Sequence, residues 1–310
     1  MLNESAFSAG RKVMWADQGI TVKEALNSAD AIKAAGLDWL VTGNPIFDQL
    51  GNQIPNYFAN TRDKDGKVLG VVKGRYKIVQ NEDAFAFTDS LIGEGVRYET
   101  AGAFDGGKKI WLLAKMPKDY KILGDTVEPY LVFSNSFDGS GSIKVATTGV
   151  RVVCQNTLNM ALNGAKRKWS AKHSGSIEYK LAEARETLQI ADAYFQRLDA
   201  KMQELYKIKL TDDKVKDIVK MIVPVDDGMT DRKKRNLIDM QNDIMYRYFT
   251  MPDLVVMDNT AARLVHAVSD TSTHKAPARN TKNYAENLFA KQIEGNDLLD
   301  RAVEVVTGIR

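Results

Sequence analysis

One cysteine, three histidines and seven prolines stand in a chain of 310 residues. A lone thiol forms no intramolecular disulfide, so a reducing cytoplasm is the expected setting. His173, His266 and His274 with Cys154 are too few soft ligands for a structural zinc site. No apolar run nears the roughly 20 residues that a membrane helix requires, and Met1 to Lys12 lacks the apolar centre of a signal peptide. Neither a membrane nor export is expected. An excess of one charge is missing too: 43 Lys and Arg against 40 Asp and Glu leave +3. Any case for a nucleic-acid partner therefore rests on local clusters.

Phosphate-binding glycine motifs are also absent. Gly139-Ser140-Gly141 is not followed by Gly-Lys-Ser/Thr, and no Gly-x-Gly-x-x-Gly occurs. Arg62 to Lys67 looks at first like a calcium loop. With Gly66 at the sixth position, however, Thr61 and Val72 would fill the first and twelfth, and neither supplies a carboxylate. The segment reads as a hairpin turn. No cofactor is expected.

What is present is an ordinary globular balance, 44% hydrophobic and 27% charged, enough for one large domain or two. The organising stretch is Pro129 to Leu162. Tyr130 to Phe133 suits a buried strand, Asp138 to Ser142 a glycine-rich turn, and Ile143, Val145 and Thr147 alternate with Ser142, Lys144 and Ala146. Gly149 marks a bulge or a close backbone approach. Asn156 or Thr157 then suits the N-cap of a helix through Leu158, Met160 and Leu162, an end at which an anion could sit.

Before that stretch, Val22 to Ala35 has helical spacing closed by Gly36. Leu37 to Val41 reads as a strand broken by Gly43-Asn44-Pro45. Tyr57 to Asn60 pairs with Val68 to Val72, Asn81 caps a helix through Ile92, and Arg97 to Ala103 pairs with Ile110 to Lys115 around Asp105-Gly106-Gly107. After Gly175 the pattern turns helical. Ile177, Leu181, Ala184, Leu188, Ala191, Phe195, Leu198, Met202 and Leu205 recur four and three apart, predicting one long helix with a coiled-coil-like seam. Its partner is either this chain or a second copy. Thr211, Thr230 and Asn259 suit caps, Pro224 and Pro252 breaks, and Asp297 to Val306 a last helix.

The expected fold class is α+β: an antiparallel, hairpin-rich core with inserted helices over 1–174, then a mostly helical region over 175–310.

No catalytic constellation stands out, which points to binding rather than catalysis. Cys154 reads as a buried small apolar residue. Glu178-Tyr179-Lys180 falls at a helix start, not on a strand as a nuclease pair would. Asp226, Asp227 and Asp231 are metal-ligand types in a turn where capping explains them equally well. The basic clusters carry more. Lys166, Arg167, Lys168, Trp169 and Lys172 interleave cations with an indole, and Lys73, Arg75, Tyr76 and Lys77 repeat the pattern. Cations neutralise phosphates and an aromatic face stacks on an unpaired base. Arg151 adds a cation inside the central strand run, and Arg232 to Arg235 form a third cluster without an aromatic.

Val68-Leu69-Gly70-Val71-Val72 with Arg75 to Asn81, Tyr98 to Gly102, Trp111 to Ala114, Val150 to Leu158, His173 to Ala184 and Thr260 to Leu299 together carry a resemblance. The chain resembles the phage- and plasmid-encoded proteins grouped as domain of unknown function 932. That resemblance implies a mobile element in a bacterial cytoplasm, near replication, recombination or host-defence genes. It supplies no catalytic residues.

The leading expectation is a protein that binds or anneals single-stranded DNA along Lys73, Arg75, Tyr76, Lys77, Arg151 and the 166–172 cluster, assembled as a homo-oligomer through the 177–205 helix. The alternative is a protein that binds and inhibits a host protein through its helical face. A third is a metal-dependent nuclease using Asp226, Asp227 and Asp231.

Overall fold

In a computed structural model of the chain, the described residues are 6–8, 20–21, 27–92, 97–151, 157–162, 167–188, 191–276 and 284–308. The first elements are β1 (Ala6–Ser8), β2 (Ile20–Thr21), α1 (Ser28–Ala34), β3 (Val41–Phe47), β4 (Gln53–Arg62), β5 (Val68–Lys73) and α2 (Asn81–Ile92). The central strands follow: β6 (Arg97–Phe104), β7 (Lys109–Lys115), β8 (Tyr120–Ile122), β9 (Asp125–Ser136), β10 (Ile143–Arg151), β11 (Thr157–Leu158) and β12 (Lys168–Ala171). The chain then becomes helical, with α3 (Ile177–Leu188), α4 (Ala191–Tyr206), α5 (Asp212–Ile222), α6 (Asp231–Thr250), α7 (Pro252–Val255), α8 (Ala261–His274), α9 (Tyr284–Glu294) and α10 (Asp297–Gly308). The α+β class read from the sequence is the observed one.

Nine of the described strands form one sheet in the order β11-β10-β9-β7-β6-β1-β2, with β12 paired to β10 and β8 to β9. Its pairings are antiparallel apart from β1 with β2. Strand side chains alternate between faces, and here both faces are covered. Leu112, Leu131, Phe133, Ile143 and Val145 pack towards α1, α2 and α3, with Ala31, Phe85 and Ala184. Trp111, Leu113, Tyr130, Val132 and Ala146 pack against Leu288, Phe289 and Ile293 of α9. Two covered faces explain the unbroken apolar runs in β7 and β9. They also change the meaning of the polar face expected of β10: Lys144 there ion-pairs with Glu294 of α9, as Lys109 does with Glu286. Residues 286 and 294 lie eight apart, on one side of that helix.

In the helical half Phe195, Leu198, Met202 and Leu205 meet Val215, Val219, Ile244, Leu264 and Val268, in a core that also takes in Ile122, Val127, Leu158 and Met160 from the strand region. The predicted heptad helix corresponds to α3 and α4, with residues 189 and 190 outside the described ones. The later seam residues, from Phe195 on, are fully buried inside this chain. A second copy would have to use the outer faces of these helices.

Three local expectations are corrected. Gly43, Asn44 and Pro45 do not break a strand but lie within β3, which begins at Val41 rather than ending there. β3 is a sheet edge and its register shifts between Pro45 and Phe47, the setting in which a residue without N–H is tolerated. Asn81 is the first residue of α2, and its side-chain amide donates to the Leu37 carbonyl at 2.8 Å, pinning the segment after α1 instead of capping. The helix expected through 158–162 is absent. Thr157 and Leu158 form β11, paired with Val150 and Gly149, and residues 157–160 are all buried, which one stripe of a helix would not give. Cys154 and Asn156 lie outside the described residues, as do Val22 to Leu26 at the start of the first predicted helix.

Gly149 is indeed a close approach: a Cβ there would lie 2.8 Å from Val127 Cγ1 and 2.9 Å from Phe195 Cε1. Thr211 and Thr230 cap α5 and α6 as expected, whereas α8 is capped by Thr260, one residue after the expected Asn259.

Candidate nucleic-acid interface

Strands β3, β4 and β5 form a separate three-stranded antiparallel sheet. Side-chain amides and a phenol tie it and the segment after it to the end of β9. Asn60 Nδ2 donates to the Phe137 carbonyl at 2.7 Å, the Tyr76 hydroxyl to the Ser136 carbonyl, and Asn135 Nδ2 to the Val79 carbonyl at 3.0 Å. Where the small sheet meets the 138–142 turn, they leave an open groove of about 770 Å³.

Tyr57, Val71 and Lys73 form one wall. Tyr57 and Lys73 are directly paired across β4 and β5, and the Lys73 ammonium stands 5.9 Å from the Tyr57 ring centre. Tyr57 is 38% exposed, so ring surface is open to solvent. Asp138 to Ser142 form the opposite wall, where Asp138 Oδ1 accepts the Ser140 N–H at 2.9 Å and Ser136 Oγ the Gly141 N–H at 3.0 Å. Arg75 and Lys172, both exposed, complete the cationic lining.

Between these walls Tyr76 and His173 stack, ring centres 4.5 Å apart and planes 13° from parallel. Burial raises the Tyr76 phenol above its ordinary value, so it remains a hydrogen-bond donor. His173 is locked by a reciprocal bridge: the Lys77 N–H donates to the His173 carbonyl at 2.9 Å, and His173 Nδ1 lies 2.9 Å from the Lys77 carbonyl. A carbonyl only accepts, so Nδ1 carries the proton and Nε2 is a buried acceptor without a partner.

Burial lowers the His173 pKa, the Lys77 carbonyl opposes that, and Lys180 adds to it. Unfolded His173 therefore takes up a proton at a higher pH than folded His173. Below about pH 6.5 its contribution to stability falls as pH drops towards the folded value, by at most about 1.4 kcal/mol per pH unit. H173F should lack this component. The stability difference between wild type and H173F, from urea titrations, should shrink between pH 7 and pH 5; a constant difference would refute the assignment.

The structure thus brings Lys73, Arg75, Tyr76 and Lys172 to one groove, although about a hundred residues separate the two clusters. Lys77 lies just beyond it, by the recess between α2 and α3. Other expected site residues fall elsewhere. Trp169 is 7% exposed and belongs to the core beside Val145, because β12 pairs 169 with 145 and turns the indole inward. It cannot stack on a base from the surface. Arg167 is 6% exposed, its guanidinium donating to the Thr147 and Ile293 carbonyls at 3.2 Å each, and burial lowers its pKa. Lys168 is exposed but donates to the Glu294 carbonyl at 2.7 Å. Lys166 and the Arg151 side chain lie outside the described residues. Asp226, Asp227 and Asp231 sit in the turn before α6 and at its first residue; among the described residues no three His, Cys, Asp or Glu are grouped to hold a metal.

Tyr57 was missed by sequence reasoning. Its position opposite Lys73 in the β4–β5 hairpin was the available signal.

The molecule is an antiparallel α+β protein with a basic, aromatic-lined groove between a small sheet and a large one. It belongs to the family described as domain of unknown function DUF932, whose model matches residues 68–292, well over half of the chain. No curated protein and no solved structure matches it. The match begins at β5 and includes every groove residue but Tyr57. Among the described residues, no helix is long and apolar enough to cross a membrane.

Proposed function

We propose that this chain is a phage- or plasmid-encoded protein that binds and anneals single-stranded DNA in recombination or replication, in a bacterial cytoplasm. The observation that supports the reading is the groove, where Lys73, Arg75 and Lys172 line the same cavity as an exposed Tyr57 ring. Three cations track a phosphate backbone and an open aromatic face accepts an unpaired base, which a duplex does not offer.

The test is fluorescence anisotropy of a labelled single strand and the matching duplex at about 50 and 200 mM salt, conditions that expose phosphate contacts. Wild type should prefer the single strand. The K73A/R75A/K172A variant should bind at least about tenfold more weakly, and its salt slope should flatten by about 2, near 0.7 per lost contact. Y57A should lose about tenfold, the size of one stacking contact. Failure of wild type to bind either form at low salt ends this reading.

A second reading, a protein that binds and inhibits a host protein, is favoured by the exposed Phe47, Ile54 and Val68 on the small sheet and Leu50 in its β3–β4 turn. It predicts partner capture that salt does not weaken, lost on F47S/L50S.

A further inference from the structure

A second recess, about 540 Å³, opens where residues 159–162 run beside the start of β12 and the junction of α9 with α10. It shares no lining residue with the groove and is a separate cavity. Asn159 is on its wall and 2% exposed. Its Nδ2 donates to the Lys291 carbonyl at 2.6 Å, while Oδ1 has no hydrogen-bond partner. Buried carbonyl oxygens are nearly always paired, so an orphan lining a recess is a place for a ligand donor.

Asp300, on the same wall, accepts the Ala161 N–H through Oδ1 at 2.6 Å; no described group donates to Oδ2. A methyl at Gly295 would lie 4.0 Å from that Oδ2 and 3.6 Å from Arg167 Nη2, ordinary contact distances, so both groups border the space beside Gly295. The φ of +117° at Gly295 also reserves the position for glycine. Glu294, another carboxylate of the lining, is already held by Lys144 and Lys168.

Two acceptors without donors call for a ligand that presents N–H groups along one edge. Arg167 and Lys168, side chains that only donate, favour acceptor atoms on the other edge of the ligand, and Glu183 adds a further carboxylate to the lining. Trp169 contributes to the wall. A recess of this size lies in the range that holds small molecules. A neutral planar heterocycle with adjacent N–H donors and a carbonyl oxygen satisfies all of these conditions. We propose that the recess binds a guanine base, with its N1–H and N2 amine towards Asp300 and Asn159 and O6 on the Arg167 side.

Calorimetric titration of the full chain with guanosine, inosine and adenosine tests this. Guanosine should bind, inosine, which lacks the N2 amine, about tenfold more weakly, and adenosine weaker still, each lost hydrogen bond to a charged or buried acceptor being of that order. D300N should lower guanosine affinity at least about tenfold with an unchanged melting temperature. The nucleoside comparison on wild type stands even if that variant misfolds. Equal binding of guanosine and adenosine, or no heat with guanosine at millimolar concentration, would overturn the proposal. Two sources are separable with an oligothymidine carrying one central guanine. Tighter binding than oligothymidine alone marks a base within a strand; binding of guanosine without that preference marks a free nucleoside. In K73A/R75A/K172A, guanosine binding should persist.

Discussion

Replacing Arg263 with Met should lower the stability of the fold by about 2–4 kcal/mol, since it strands the buried Tyr248 carbonyl and removes the donor of the half-buried Met257 carbonyl. Arg263 is 6% exposed in the first turn of α8. Its Nε and Nη2 donate to the Tyr248 carbonyl at 3.1 and 2.5 Å, and Nη1 to the Met257 carbonyl at 3.2 Å and to Asn259 Oδ1 at 2.7 Å. The Tyr248 carbonyl is among the last four of α6, which have no intrahelical donor. The guanidinium satisfies it, and the negative end of the helix dipole holds the charge in return. The Tyr248 ring lies 4.4 Å from the guanidinium carbon, adding a cation–π contact. One side chain thus ties the end of α6 and the turn after α7 to the first turn of α8. R263M keeps the length and removes every donor. Its urea midpoint should drop with an unchanged slope, and its melting temperature should fall by roughly 10 °C. R263K, which keeps the charge without the fork, should recover part of the loss. A variant within about 1 kcal/mol of wild type would show that these bonds merely replace equivalent ones to water.

Much of this architecture was legible because it is local. The β6–β7 hairpin around Asp105 to Gly107, the Arg62 to Lys67 turn, and the Thr211 and Thr230 caps are written in contiguous residues. What failed was decided by partners distant in sequence. Pro45 sits in a strand only because that strand is an edge, and Asn81 serves a carbonyl 44 residues away. Residues 157–160 were read as a helix from a cap-like residue and three apolar ones, but the sheet edge offered by Gly149 and Val150 claims them first. For the site, charge was visible and burial was not. Trp169 stands in the same cluster as Lys168 until the alternation of a four-residue strand turns the indole inward and the lysine outward, and Arg167 is buried just before that strand. Tyr57 went unnoticed because its role comes from cross-strand pairing with Lys73.

Gly70 is the position where a single methyl should do most damage in the sheet region. Its φ is not in the glycine-only region; the constraint is space. A Cβ there would lie 2.4 Å from Asp138 Cα, 2.8 Å from Asp138 Cβ and 3.0 Å from the Asp138 carbonyl carbon, two of them backbone atoms that no rotamer change can move. Neither side yields easily. Gly70 is in register with Asn60, whose amide holds the Phe137 carbonyl, and the Phe137 N–H donates to the Lys108 carbonyl at 2.7 Å. G70A should therefore cost about 3 kcal/mol, the upper end for overpacking. G228A, at an exposed turn where a methyl meets nothing within 4 Å, is the matched control and should be near neutral. Paired urea titrations decide it, and equal midpoints would mean that the turn moves aside at little cost. The displaced turn carries one wall of the groove, so G70A should also weaken oligonucleotide binding severalfold, although residue 70 contributes no side chain to it.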